Sequence, residues 1–215
     1  MLAVDVNDAY ANLLLPRLLR ERSLPTRDAA FATELAYGTL RWSGVLDEIV
    51  GAGSRRPVDA LDPPVRAVLR LGAYQLLHMR VASHAAVHAT VDLARVVSGE
   101  KVVSFVNAVL RRVAERDWPG WVTHLAPADL LGRLAFEHGQ PAWIVAAMSD
   151  ALGGDVDQLR RALAEDRPVT HLVARPGRIS RDELLAQSPP GATAGPWSPY
   201  AVRLAGGDPG SLPAV

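Results

Sequence analysis

The chain has 215 residues, 49% hydrophobic and 21% charged, enough for one or two domains with real cores and too apolar for a disordered chain. Its 23 basic and 23 acidic residues cancel, so no bulk charge draws it to nucleic acid or membrane. It has no cysteine, which excludes disulfides, thiolate metal sites, iron–sulfur clusters and a cysteine nucleophile. Asp5 and Asp8 interrupt the start of the chain and leave no signal-peptide core. No stretch has the length and apolarity of a membrane-spanning helix, so a soluble cytoplasmic protein is expected. All but one of the basic residues are arginine, the exception being Lys101, which fits a GC-rich coding sequence.

Up to about Asp117 the pattern is helical. Asn12 to Arg20 carries Leu13, Leu14, Leu18 and Leu19 at helical spacing, with Pro16 placed near the first turn. Thr26 is placed as the N-cap of one long helix that runs through Phe31, Leu35, Leu40, Leu46 and Ile49 to stop at Gly51 and Gly53. Asp62-Pro63-Pro64 opens the next, with Asp62 as cap; Val65, Val68, Leu69, Gly72 and Leu76 form its apolar side. Ser83 is expected to cap a helix with Val87 and Val91 inward. Val102 to Glu115 is the last clear one. The reading for 1–117 is an all-α bundle with short connections.

From Trp118 the texture changes, with Trp and Pro punctuating the segment. Short helices fit 127–137, 141–152 and 156–166. Val169 to Arg175 reads as a strand. Ser180 and Glu183 have capping-box spacing at the head of a helix, and Tyr200 to Leu204 reads as a second strand. Residues 118–215 thus form a connecting region of helices followed by an incomplete α/β segment, since two strands and a helix make no stable sheet domain alone.

Most candidate chemistry has a plainer explanation. His84, His88 and Asp92 share one helix face, but the third group lies a turn too far to close a tetrahedral metal site; a partly exposed helix face is the better reading. Gly206–Gly210 is glycine-rich without the lysine and following helix of a phosphate loop. No Gly-x-Ser-x-Gly elbow is present. Asp59/Asp62 and Asp155/Asp157 flank helix starts, where carboxylates complement the dipole. The arginine clusters are more informative: Arg55-Arg56, Arg111-Arg112 with Arg116, Arg160-Arg161, and Arg175, Arg178 and Arg181. Arginine forks phosphates and stacks on bases, so a local cluster can bind RNA at zero net charge. Arg160-Arg161 have Glu165-Asp166 nearby for pairing, whereas Arg175, Arg178 and Arg181 have few acids nearby until Asp182.

Several motifs match a known family. Phe105-Val-Asn-Ala-Val-Leu-Arg-Arg-Val113 resembles the signature of NusB-like helical domains. Leu35–Arg41, Leu69–Leu77 and His84–Leu93 together resemble the N-terminal region of the RsmB (Sun/Fmu) family of small-subunit rRNA cytosine-5 methyltransferases, in its actinobacterial form. His138–Trp143, Val169–Arg175, Ser180–Leu185 and Ser198–Leu204 resemble that family's connecting region, in the same order. The resemblance covers essentially the whole chain.

It implies a mainly α fold and a role in binding and positioning small-subunit rRNA, with a protein partner as a further option and no membrane. The phosphate contacts it favours are Arg41, Arg111, Arg112, Arg175 and Arg178. Tyr37 and Trp42 can stack bases but are better read as core, and Asn107 as a packing residue. In the family, S-adenosylmethionine and two cysteines belong to a domain beyond this region. No catalytic or cofactor residue is therefore carried over, and the chain as it stands is expected to be non-catalytic. Only Met1 to Asn7 precede Ala9-Tyr-Ala-Asn12, so the family's first helix is expected to be largely missing. An apolar groove, and a homodimer formed through it, would follow. Two other readings stay open: a NusB-like antitermination factor acting on RNA with a protein partner, and a helical protein-interaction module.

Overall fold

The computed structural model describes residues 1–164, 169–206 and 209–212. It is mainly α-helical and divides into two compact units, Met1–Arg160 and Arg161–Val215. The helices of the first unit are α1 (Leu2–Asn7), α2 (Ala11–Arg22), α3 (Thr26–Arg41), α4 (Ser43–Ser54), α5 (Pro63–His78), α6 (Ser83–Ser98), α7 (Val103–Val113), α8 (Trp118–Leu125), α9 (Leu130–Glu137) and α10 (Ala142–Ala151). A further helix, α11 (Val156–Leu163), carries the boundary between the units.

Helix α5 is the axis of the first unit. Asp62 precedes it and Pro63-Pro64 occupy its first positions, where a missing N–H costs nothing. The Asp62 side chain makes no cap hydrogen bond, so the prolines and not the carboxylate define this start. The helix packs against α1, α3, α4, α6 and α7. Gly72 permits the close approach of α6 and α7: a Cβ there would lie 2.7 Å from Leu110 Cδ2 and 2.9 Å from Thr90 Cγ2. Leu46, Ile49, Val50, Leu69, Val106, Val109, Leu110 and Val113 fill the core between α4, α5 and α7.

Four local expectations need correction. The long helix from Thr26 is two helices, broken at Trp42. The Trp42 ring stacks on His78, with centroids 4.2 Å apart, and meets Trp118 edge-on. This tertiary cluster turns the chain where helical periodicity alone would have continued it. Gly51 and Gly53 lie inside α4 rather than ending it; Gly53 is packed close to Val109 and Val113, and the helix stops at Arg55, which adopts a left-handed φ of 57°. Thr26 and Ser83 are the first helical residues, not caps, and the preceding Pro25 and Ala82 make no side-chain cap bond. Pro16 sits in the second turn of α2, deeper than expected, and no residue of α2 is buried.

The change of texture at Trp118 is not where the compact units part. Helices α8 and α9 return to the first core, which includes Trp121, Val122 and Phe136. At the other end, α1 packs on α5. Leu2, Val6, Tyr10, Leu13, Leu18, Leu24 and Phe31 on and around α1–α3 remain exposed.

The second unit holds β1 (His171–Val173), α12 (Arg181–Ala186), β2 (Thr193–Ala194) and β3 (Ala201–Arg203). The sheet order is β1-β3-β2, antiparallel throughout. Strand β2 has only two residues, too few to show as an alternating pattern, yet it adds a third strand to the two expected. His171 pairs with Arg203 and Leu172 with Val202. Period-2 alternation then sends Leu172 and Val202 to the face that packs with Leu184 of α12, while His171 and Val173 are exposed.

The capping box at Ser180 forms as expected. The Glu183 carboxylate accepts from the Ser180 backbone N–H and hydroxyl, each at 2.8 Å, and these bonds hold it below the usual carboxylate range. A lowered folded-state value means the cap's contribution is full above about pH 4.5, the group's ordinary value, and is lost as pH falls through the lower folded one. Amide exchange across α12 should therefore quicken below that pH, and Ser180→Ala should flatten this dependence. An exchange rate indifferent to pH, after correction for intrinsic chemistry, would contradict it.

The expected helix end at Asp166 and the pairing of Glu165-Asp166 with Arg160-Arg161 lie outside the described residues. So does the centre of the Gly206–Gly210 turn.

Candidate nucleic-acid interface

In the second unit, Arg175 and Arg178 are brought together. The chain leaves β1 through a turn in which the Arg175 carbonyl accepts from the N–H groups of Arg178 and Ile179, at 3.0 and 3.1 Å. Gly177 supplies the positive φ of 80° that the turn requires. Both arginines are exposed and line one hollow of about 380 Å³ with His171, Leu172 and Val173. Arg178 also lines a neighbouring hollow with Arg181 and Tyr200. Among the described residues neither Arg175 nor Arg178 has a carboxylate partner, whereas Arg181 stands 3.9 Å from Asp182. Trp197 is 94% exposed and Tyr200 47%. The result, among the described residues, is guanidinium without a carboxylate partner, with Tyr200 sharing the second hollow, a combination that can track a phosphate backbone and stack bases.

In the first unit the expected residues separate. Arg111 is exposed on α7 and lines a hollow of about 400 Å³ with His84, His88, Asn107 and Ser83. His88 leans 3.4 Å from Asp92. Among the described residues no group of three potential ligands could hold a metal ion. Asn107, expected as a packing residue, is half-buried and faces this hollow. Arg112 points the other way: its Nη1 donates to the Gly53 carbonyl at 2.9 Å and ties α7 to the end of α4. Arg41 ends α3, is exposed, and lines a third hollow with Glu48 and Gln140. Burial pushes the Glu48 carboxyl above its ordinary value.

Other arginines of the first unit pack or pair within it. Arg56 lies over the Phe105 ring at 5.7 Å and Arg116 over Trp121 at 5.3 Å. Arg95 is held by Asp92 and Glu100. Trp42 is packed within the aromatic cluster, and Tyr37 is half-buried. Neither Glu48 nor Gln140 was legible as a site residue in the sequence, because only the fold sets them beside Arg41. Among the described residues no helix is long and apolar enough to cross a membrane.

The architecture is that of a helical bundle followed by a small α/β unit carrying exposed arginines. The NusB family's sequence profile matches residues 1–115, and the chain belongs to that family. A protein of Mycobacterium tuberculosis named as a methyltransferase is 50% identical over 218 residues, covering 99% of this chain and 47% of that protein. The Bacillus subtilis protein named ribosomal RNA small subunit methyltransferase B is 30% identical over 87% of this chain and 41% of its own length. The Thermus thermophilus protein of the same name is 44% identical over 65% of this chain and 36% of its own length. The chain thus spans less than half the length of these relatives.

Proposed function

We propose that this chain is the RNA-binding, substrate-positioning N-terminal region of an S-adenosylmethionine-dependent small-subunit rRNA cytosine-5 methyltransferase, acting in the cytoplasm. The observation that carries the reading is the convergence of Arg175 and Arg178 on one hollow, neither with a carboxylate partner among the described residues. The likeness to relatives named as rRNA methyltransferases across both units supports it. A NusB-like antitermination factor would account for residues 1–115 but not for likeness that runs through the second unit. Phosphate contacts fall to Arg41, Arg111, Arg175 and Arg178. Arg112 has donors left over for a phosphate after its bond to Gly53. The methyl donor and the nucleophile belong to the parent enzyme outside these 215 residues, which contain no cysteine.

The test is affinity for a small-subunit rRNA helix over a salt series. Each phosphate contact should add roughly 0.7 to 0.9 to the slope of log K against log salt. Arg175→Ala and Arg178→Ala should each lower the slope by about that amount and weaken binding at every salt concentration. Affinity indifferent to salt, or no binding at low salt, overturns the reading.

A further inference from the structure

The hollow beside Arg41 differs from the others in chemistry. It has a volume of about 490 Å³ and is walled by α4, α9, the turn at 139–141 and the ends of α3 and α10. That is within the usual range for small-ligand clefts. Its walls are largely apolar, with Val45 and Phe136 prominent. The turn that forms one side is rigid. The Gln140 N–H donates to the Ala135 carbonyl at 2.9 Å, and Gly139 takes a φ of 63° with its backbone pressed on Trp42, where a Cβ would lie 2.6 Å from a ring carbon. No other residue fits that position.

Besides Ser43, three polar side chains line this hollow: Arg41, Glu48 and Gln140. Among the described residues none of the three makes a side-chain hydrogen bond or ion pair. Elsewhere the first unit pairs such groups, as in Arg17–Glu21, Arg133–Glu137 and Arg95 with Asp92 and Glu100. Here a cation and a carboxylate share one cleft yet leave each other free. Glu48 is exposed, yet the protein around it desolvates the carboxyl enough to raise it above its ordinary value, and a ligand N–H entering the hollow would give it a hydrogen-bond donor.

We propose that this hollow receives one unstacked RNA nucleotide whose base carries an exocyclic amino group, with Arg41 on its phosphate and Glu48 on the amino group. The proposal rests on the RNA-binding reading and extends it to a site in the first unit. Apolar walls suit the faces of a base, as in recognition of splayed-out nucleotides. A carboxylate accepts from the amino group of cytosine, as Glu and Asp do in base readout; the amino groups of adenine and guanine offer the same donor. Uracil presents a carbonyl at the position of cytosine's amino group and would set two acceptors face to face. Gln140 can donate or accept at the remaining edge.

Titrating CMP, AMP, GMP and UMP separately into the 215-residue protein, followed by amide chemical shifts and calorimetry, tests this. The expected result is that UMP binds about tenfold more weakly than CMP, an unpaired acceptor costing on the order of one factor of ten. Shifts should centre on residues 41–48 and 136–142. Glu48→Gln should abolish the preference, since an amide can also donate to a uracil carbonyl. Arg41→Ala should weaken all four nucleotides alike. Equal affinity for UMP and CMP, shifts centred elsewhere, or no binding of any monophosphate overturns the proposal. The rRNA helix serves as the separating control. Salt-dependent binding that needs Arg175 and Arg178, without monophosphate binding, removes this inference and leaves the RNA-binding reading intact. Monophosphate binding without rRNA binding does the reverse.

Discussion

Arg70→Met should lower the stability of the first unit by about 3 kcal/mol, the cost of removing one member of a buried ion cluster. Arg70 lies in the middle of α5 with 6% of its surface exposed. Its Nε and Nη2 take both oxygens of Asp47 on α4, the first at 2.6 Å, and its Nη1 reaches Asp5 on α1 at 2.8 Å. Burial works against the guanidinium charge, yet the two carboxylates outweigh it and leave the arginine's pKa raised. Methionine fills much of the same volume but leaves two carboxylates facing each other across a half-buried site. Arg70→Lys should cost less, because the charge stays and only the bidentate fork to Asp47 is lost. Asp5→Asn should act locally: α1 has no buried residue and no side-chain cap, so the Asp5–Arg70 ion pair is a main polar tether of α1 to α5. Urea unfolding measures the first two variants and amide exchange in α1 the third. A loss below about 1 kcal/mol for Arg70→Met would mean that the cluster is effectively solvated, as surface pairs are.

What the sequence reveals and what it conceals divide along the reach of the interactions. Local chemistry is legible. Asp62-Pro63-Pro64 marks the start of α5, Ser180 and Glu183 build their capping box, and the apolar spacing of Val106, Val109, Leu110 and Val113 locates the buried face of α7. Tertiary chemistry is not. The break at Trp42 depends on His78 and Trp118, which lie far along the chain. Arg70 reads as one more charge in an apolar helix until α1 and α4 bring Asp5 and Asp47 to it. The arginines behave likewise. Arg111 and Arg112 are neighbours in a motif, yet one faces an open hollow and the other is tied to the Gly53 carbonyl. Helical phase separates them, since adjacent residues on a helix point about 100° apart. Arg175 and Arg178 are the opposite case: a turn too short to scatter them makes their sequence proximity a spatial one.

A fragment ending at residue 117 should be far less stable than the 215-residue chain, although the NusB profile ends at 115. The reason is Trp121. It is among the largest fully buried side chains, and its Nε1 donates to the Val113 carbonyl at 3.0 Å. That bond satisfies a carbonyl in the last turn of α7, where intrahelical partners run out. Val122 and Phe136 enter the same core from α8 and α9. Removing Trp121 alone, as Trp121→Ala, should cost about 3–5 kcal/mol. Trp121→Phe keeps most of the apolar contact and strands the Val113 carbonyl, for a cost of about 1–3 kcal/mol. Ending the chain at 117 removes the tryptophan together with Val122 and Phe136, and exposes Val113 and its neighbours to water. Against the roughly 5–15 kcal/mol that holds an ordinary domain folded, that loss should leave the fragment marginal or molten. It would show weak near-ultraviolet dichroism and an early urea transition. If the fragment instead unfolds cooperatively at the midpoint of the first unit in the whole chain, α8 and α9 are attachments to a self-sufficient bundle. If it does not, the unit that folds is the one that also carries the hollow of Arg41, Glu48 and Gln140. The site and the core would then depend on the same two helices.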